Sequence, residues 1–210
     1  MGIKFFVKNI YDIDNPDPVT TITDAVATDN GQDFVDQMRN RDLITGWITT
    51  GSTDAANTQI DIDFIDVVEF NRIIFAGTNL KAYTIQYWNG SSYVDFSNAI
   101  SESNQLLAGV EHAFDTVTSS AIRIIITGTQ TADDDKIINQ LIVTRIIGEF
   151  TDEPEIKPQF DKDRRRTKFL SGKSFISKNY GGFNVDIKKN VNAESNDQEI
   201  VESLYESYEG

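Results

Sequence analysis

The chain has 210 residues, enough to bury a substantial core as one large domain or as a large and a small one. It holds no cysteine, which removes disulfide scaffolds and thiolate chemistry, and its single histidine, His112, confines any Ser-His-Asp or histidine metal site to that one position. The formal charge of −14 is uneven: residues 1–150 carry 21 acids against 9 bases and residues 151–210 carry 12 against 10, and so acidic a body repels a phosphate backbone and excludes nucleic acid as the main partner.

The first residues, MGIKFFVKN, have too short an apolar run for a signal peptide, and no segment approaches the roughly 18 apolar residues of a membrane span, so a soluble protein is expected. Ile3 to Lys8 reads as a strand that pairs elsewhere in the protein or with a neighbour. Asn15-Pro16-Asp17-Pro18 stops it, because two closely spaced prolines force a loop, and residues 1–18 form an N-terminal arm. Val19 to Ala27 resumes a β pattern, and Asp33 to Met38 reads as a helical turn after the Asn30-Gly31 break. Leu43 to Thr49 carries Trp47. After the polar loop Gly51 to Asn57, Gln59-Ile60-Asp61-Ile62-Asp63-Phe64 alternates strictly, the mark of an antiparallel sheet with one wet face.

Asn71 to Phe96 is the strongest local signal. Phe70 to Phe75 is an apolar, β-branched run, Gly77-Thr78-Asn79 breaks it, and Ala82 to Trp88 alternates again. Asn89-Gly90 takes the positive φ angles of a tight turn, which folds Tyr93 to Phe96 back beside Tyr83 to Trp88. A polar interval from Ser97 to Gln105 leads to Leu106 to Val110. Ala121 to Thr127 and Lys136 to Ile147 are isoleucine-rich strands, separated by too little chain for a crossover helix. Short strands with polar loops and almost no helical periodicity predict an all-β fold, a β-sandwich or a jelly roll.

The composition changes at Phe150. Residues 151–165, with Pro154 and Pro158, read as an extended linker. Residues 166–210 read as a small module: Thr167 to Lys178 forms a hairpin turning at Ser171-Gly172, Phe183 to Lys188 forms a strand, and a helix capped by Ser195 or Asn196 follows. Ile200, Val201, Leu204, Tyr205 and Tyr208 share one face of that helix. Lys157 to Lys189 holds ten bases against three acids, a strip of +7 that is either solvated or docks an acidic surface.

Once these strands are placed, residues 19–150 resemble the discoidin family, the type C domain of coagulation factors, and that resemblance implies a jelly-roll β-sandwich of the galactose-binding-like class. Trp47, the Gln59 to Asp63 strand, Tyr83 to Gly90 followed by Tyr93, and Ala121-Ile122-Arg123-Ile124 in the place of that family's closing strand carry the likeness. The chain lacks the two cysteines that tie the ends of many extracellular members, which argues against a secreted adhesion role. The whole layout is also similar to tail or baseplate proteins of tailed bacteriophages, through Gly77-Thr78-Asn79-Leu80-Lys81, Lys136 to Gly148, and the FLSGKSFISK segment from Phe169. That resemblance implies a virion structural subunit made in the host cytoplasm, without catalysis.

Chemistry is sparse. His112 has no nucleophile motif beside it, and no carboxylate pair stands in an acid-and-base context, so no enzyme is expected. Asp12, Asp14, Asn15 and Asp17, and separately Asp133-Asp134-Asp135, offer oxygens to a structural calcium, though neither has the glycine and distant glutamate of an EF-hand and both equally read as solvated turns. An exposed ring stacks on the apolar face of a pyranose, so Trp88, Tyr93 and Trp47, with Asn89 and Asn79 as polar partners, form a sugar-binding reading. Strand ends also bury such rings. The leading expectation is assembly into a ring or other homo-oligomer, with Arg164, Arg165, Arg166, Lys168 and Lys173 meeting a neighbour's carboxylates. A carbohydrate-binding module is the alternative.

Overall fold

The computed structural model describes residues 3–15, 17–24, 32–49, 54, 57–150, 155–159, 167–168, 174–175 and 184–188. Its strands are β1 (Ile3–Phe6), β2 (Val19–Asp24), β3 (Trp47–Ile48), β4 (Thr58–Thr78), β5 (Leu80–Trp88), β6 (Tyr93–Glu102), β7 (Gly109–Thr129), β8 (Ile137–Thr144), β9 (Ile146–Phe150), β10 (Glu155–Gln159), β11 (Thr167–Lys168), β12 (Ser174–Phe175) and β13 (Asn184–Lys188). A 3-10 helix spans Gln32–Met38, where the sequence reads as a helical turn. The chain divides into two compact units, Asn9–Arg145 and a second made of Met1–Lys8 with Ile146–Gly210.

The first unit is an antiparallel β-sandwich of jelly-roll type, and β4 and β7 make it so. Each is 21 residues long, about four times an ordinary strand, and each serves both layers. Residues 58–63 of β4 pair with β2 and with residues 121–126 of β7, and β5 and then β6 extend this layer beyond β7. Residues 72–78 of β4 pair with β8, and 68–76 pair with 109–119 of β7, which builds the opposite layer with β3 at its edge. The β4–β7 register shifts between Asp63 and Val68 and between Phe70 and Arg72, and these bulges let the paired strands turn from one layer to the other. At the bend Ile65 takes φ of +66°, unusual for a β-branched residue, while its N–H donates to Asp63 Oδ1 at 2.8 Å.

Alternation decides what lies between the layers. Ile60, Ile62, Ile85, Ile122, Ile124 and Ile126 face inward from one layer, and Ile73, Phe75, Ile138, Leu141 and Val143 from the other, all fully buried. Each contributes about 1.5–3 kcal/mol by leaving water. Rings gather around Phe70, which meets Phe64, Phe96 and Phe114 edge-on at centroid separations of 5.9, 6.3 and 5.9 Å, and Phe96 lies 4.0 Å from Phe114. A polar contact lies within the core, between the Tyr83 hydroxyl on β5 and His112 Nε2 on β7, 2.9 Å apart.

The chain from Asn9 up to β2 also belongs to this unit. The Ile10 N–H donates to the Val143 carbonyl at 2.8 Å, and Tyr11 is wholly buried with its hydroxyl 2.6 Å from Thr20 Oγ1. Burial pushes the Tyr11 hydroxyl pKa up to about 12, so it stays protonated.

In the second unit β1 pairs with β9 of the same chain, the first of the two pairings that the sequence left open for Ile3 to Lys8. Glu155–Gln159, inside the stretch read as linker, pairs with Asn184–Lys188, and Thr167–Lys168 pairs with Ser174–Phe175 around the expected turn. The expected helix after Ser195 lies outside the described residues. No helix among the described residues is long and apolar enough to cross a membrane.

Candidate functional site

The outward residues of the β2–β4–β7–β5–β6 layer include a polar and aromatic group, because they alternate with inward residues such as Ile60, Ile62, Ile85, Ile122, Ile124 and Phe96. Asp61, Arg123, Gln86 and Asp95 stand in one register row across β4, β7, β5 and β6. One row further, at the turn end, Trp88 stands opposite Tyr93, and Asp63 opposite Ala121. The hairpin that begins at Asn89-Gly90 fixes this pairing.

Arg123 organises the row. Its Nε donates to Asp61 Oδ1 at 2.7 Å and its Nη2 to Asp61 Oδ2 at 3.0 Å, a bidentate pair in which both side chains are 27% exposed. The same guanidinium lies over the Tyr93 ring, with Cζ 3.8 Å from its centroid. Tyr93 in turn meets Trp88 edge-on, at 5.3 Å between centroids and an interplanar angle of 66°. An ion pair thus clamps one face of Tyr93 and holds it against the indole. Burial, and then Asp61, raises the Tyr93 hydroxyl pKa above its ordinary value, so it is a donor at neutral pH. Arg123 Nη1 has no partner among the described residues and can donate outward. Gln86 Nε2 donates to Asp95 Oδ1 at 3.0 Å, leaving the other carboxylate oxygen on an exposed side chain.

Both rings are half-buried, so each presents part of its surface to solvent. The patch therefore offers apolar ring surface, a rigid guanidinium and carboxylate acceptors within one small area. Among the described residues no group of three or more histidines or carboxylates is arranged to hold a metal ion.

The remaining sequence candidates have other duties. Asn89 sits beside Trp88, but its Oδ1 accepts from Ser91 N, Ser91 Oγ and Ser92 N and so closes the turn. Asn79 is at the opposite end of β5: its Nδ2 donates to the Asp135 carbonyl at 2.7 Å and its Oδ1 accepts from Ile137 N at 2.8 Å, fastening the loop before β8. A nine-residue strand separates it from Trp88, about 30 Å of extended chain, so it does not join the patch. Trp47 is fully buried and cannot stack on a ligand. Arg164, Arg165, Arg166 and Lys173 lie outside the described residues, and Lys168 is placed only as backbone in β11, opposite Ser174. Arg123 and Asp61 were missed as site residues, although the alternation of Gln59 to Asp63 and of Ala121 to Ile124 already puts both on the wet face.

The first calcium candidate is filled by arginines. Arg41 Nε donates to Asp12 Oδ2 at 2.8 Å, and its Nη2 to Asp12 Oδ1 and to Asp14 Oδ2 at 2.5 and 2.6 Å. Those hydrogen bonds to Asp12 raise the Arg41 pKa further. Buried Arg39 donates to the carbonyls of Asp12, Asn15 and Pro18 and lies 5.2 Å from the Tyr11 ring centroid. At the second, Asp54 and Asp133 hold each other's backbone N–H groups at 3.2 and 3.0 Å, which describes a loop clasp. His112 is buried against Tyr83 and Phe75, and burial lowers its pKa.

No protein-family model matches the chain, and no curated protein sequence matches it. Solved structures do. Chitosan-binding module 1 of a chitosanase/glucanase from Paenibacillus sp. IK-5 aligns with a TM-score of 0.50 at 13% identity, over 64% of this chain and 97% of that one. A protein described as SpGH29 aligns at 0.50 and 11% identity over 66% of this chain, which spans only 28% of its length. CBM32-5 of Clostridium perfringens, in complex with GalNAc-β-1,3-galactose, aligns at 0.47 and 13% identity, over 61% of this chain and 96% of the module. These neighbours lend no support to the tail or baseplate context. The likeness is one of fold, and the jelly roll implied by the discoidin resemblance is the architecture this chain shares with the Paenibacillus module.

Proposed function

We propose that the chain is a carbohydrate-binding module that takes its ligand on the Trp88–Tyr93 pair. The observation that carries this reading is the clamp: Arg123, tied to Asp61 at 2.7 Å and stacked 3.8 Å over Tyr93, holds an aromatic platform in place before any ligand arrives. A preorganised platform loses little side-chain entropy on binding. The apolar face of a pyranose stacks on the exposed ring surface while Arg123 Nη1, Asp95 and Asp63 meet its hydroxyls. The fold shared with a chitosan-binding module supports the same reading, and binding of this kind asks for no catalysis.

The test is a glycan array followed by calorimetry on the best binder. Taking a large apolar side chain out of water is worth about 1.5–3 kcal/mol, so Trp88→Ala should weaken binding about 10- to 150-fold. Arg123→Lys, which keeps the charge but loses the planar fork, should weaken it too while the thermal transition survives. Absence of binding to any glycan, or binding untouched by Trp88→Ala, would overturn the reading.

A further inference from the structure

The hairpin beneath the aromatic pair carries a reactive dipeptide. Asn89 and Gly90 are both exposed, Gly90 has φ of +97°, and a Cβ built on it would meet nothing within 4 Å. The Asn89 side-chain oxygen is held by three donors: Ser91 N and Ser92 N, each at 3.0 Å, and Ser91 Oγ at 2.9 Å. Its backbone N–H donates to the Ser92 carbonyl at 3.1 Å.

We propose that Asn89 is a site of spontaneous covalent modification, in which the amide is lost to a succinimide formed with Gly90 and opened by water. Hydroxide removes the Gly90 N–H proton, and the nitrogen forms a bond to Asn89 Cγ. The three donors on Oδ1 stabilise the negative charge that develops on that oxygen. The bond from Cγ to the amide nitrogen then breaks, and ammonia leaves with a proton taken from water. A second water opens the five-membered ring at one carbonyl or the other, giving aspartate or isoaspartate. No electrons change hands, and water is the sole co-reactant. Glycine matters twice, since it has no side chain to obstruct the closing ring and it tolerates positive φ.

The product changes the site. Either outcome puts a new carboxylate next to Trp88, and isoaspartate also routes the main chain through Cβ, adding a backbone atom between Trp88 and Tyr93. The Trp88–Tyr93 register then fails at the turn that sets it. Loss of glycan affinity with age is the consequence, and this last step rests on the proposed function.

The experiment incubates the folded full chain at mildly alkaline pH and body temperature, beside the same chain in denaturant and an Asn89→Gln variant. Peptide mapping reads the one-dalton gain at position 89, with Asn30-Gly31 mapped separately, and an isoaspartate methyltransferase assay counts the isomer. Conversion at Asn89 in the folded wild type but not in Asn89→Gln, faster as hydroxide rises, supports the proposal. An Asn89 that keeps its amide in the folded chain while the denatured chain converts overturns it. Near-UV circular dichroism of the aromatic pair should change in step with conversion, with or without a sugar. Conversion in a protein that binds no glycan would therefore refute the carbohydrate reading and leave the modification standing, whereas glycan binding with an unmodified Asn89 would do the reverse.

Discussion

Replacing Tyr83 by Phe takes one hydroxyl out of the contact between the two layers and leaves the ring packing as it was. Tyr83 and His112 are 1% and 8% exposed, so His112 Nε2 would lose its 2.9 Å partner where water cannot easily replace it. An unsatisfied buried polar group costs about 1–3 kcal/mol. For the unit Asn9–Arg145, an unfolding entropy of about 2 cal/mol/K per residue turns that into a Tm lower by about 3–10 °C. The double variant Tyr83→Phe/His112→Leu removes both partners and should cost less than the sum of the two single changes, with a coupling of about 1 kcal/mol. The same pair sets an acid dependence. Burial lowers the His112 pKa below its ordinary 6.5, only partly opposed by Glu102. The unfolded chain therefore binds the proton first on acidification, so stability is full above 6.5 and falls as the pH drops from there toward the lower folded value. His112→Leu should flatten that slope. Circular dichroism melts of the four proteins at neutral and acid pH measure all of this. A Tyr83→Phe change with no effect on Tm, or a double variant as costly as both singles together, would refute the reasoning.

Further outcomes follow from other places in the fold. Gly77→Ala would put a Cβ 2.5 Å from Asn139 Nδ2 at a φ of +73°, so it should cost about 2 kcal/mol or more in denaturant unfolding. Ile65 is 60% exposed at φ +66°, so Ile65→Asn, which tolerates that conformation, should stabilise by about 0.5–1 kcal/mol with no core lost. Arg41→Ala withdraws the guanidinium from the buried Asp12 carboxylate; because the arginine side chain is 45% exposed and solvent-screened, a loss of about 1 kcal/mol is expected in the same assay. With Asp63 and Asp95 flanking the rings and Asp61 neutralised by Arg123, glycans bearing carboxylates or sulfates should bind more weakly than neutral counterparts, and added salt should narrow the gap.

Much of the fold is legible in the residues because one physical signal, period-two alternation, dominates it. Gln59 to Phe64 and Ala82 to Trp88 announce a wet and a dry face, and Asn89-Gly90 announces the turn from β5 into β6, although Gly90 alone of the two takes a positive φ and the loop runs on through Ser92 to the Trp88–Tyr93 pair. The length of β4 and β7 is not legible. Asp66 to Glu69 sets two valines between charges and Asp115 to Ser120 is mostly polar, so neither shows a clean alternation, yet they carry the strands around the bend, where Val67 is exposed and a bulge restores the register. The candidate site was half legible. Trp88 and Tyr93 could be read as exposed rings on one hairpin, whereas their link to Arg123 and Asp61 joins residues 62 positions apart and depends on which strands lie side by side. Asn79 shows the converse error, since a polar residue near aromatic ones in sequence can serve the far end of the same strand.

Because β4 and β7 each belong to both layers, neither layer can be peeled from the other without breaking hydrogen bonds in its partner. Opening the sandwich at one edge frees β2, β3 or β6, but melting either long strand dissolves the pairing on both sides at once. Amide exchange should therefore divide this unit sharply, with fast exchange along the outer strands and a single slow class along β4 and β7 that exchanges only through global unfolding. The same long-range pairing, joining Thr58 to Ile126, must be in place before the interior can close, which marks the unit as a slow folder.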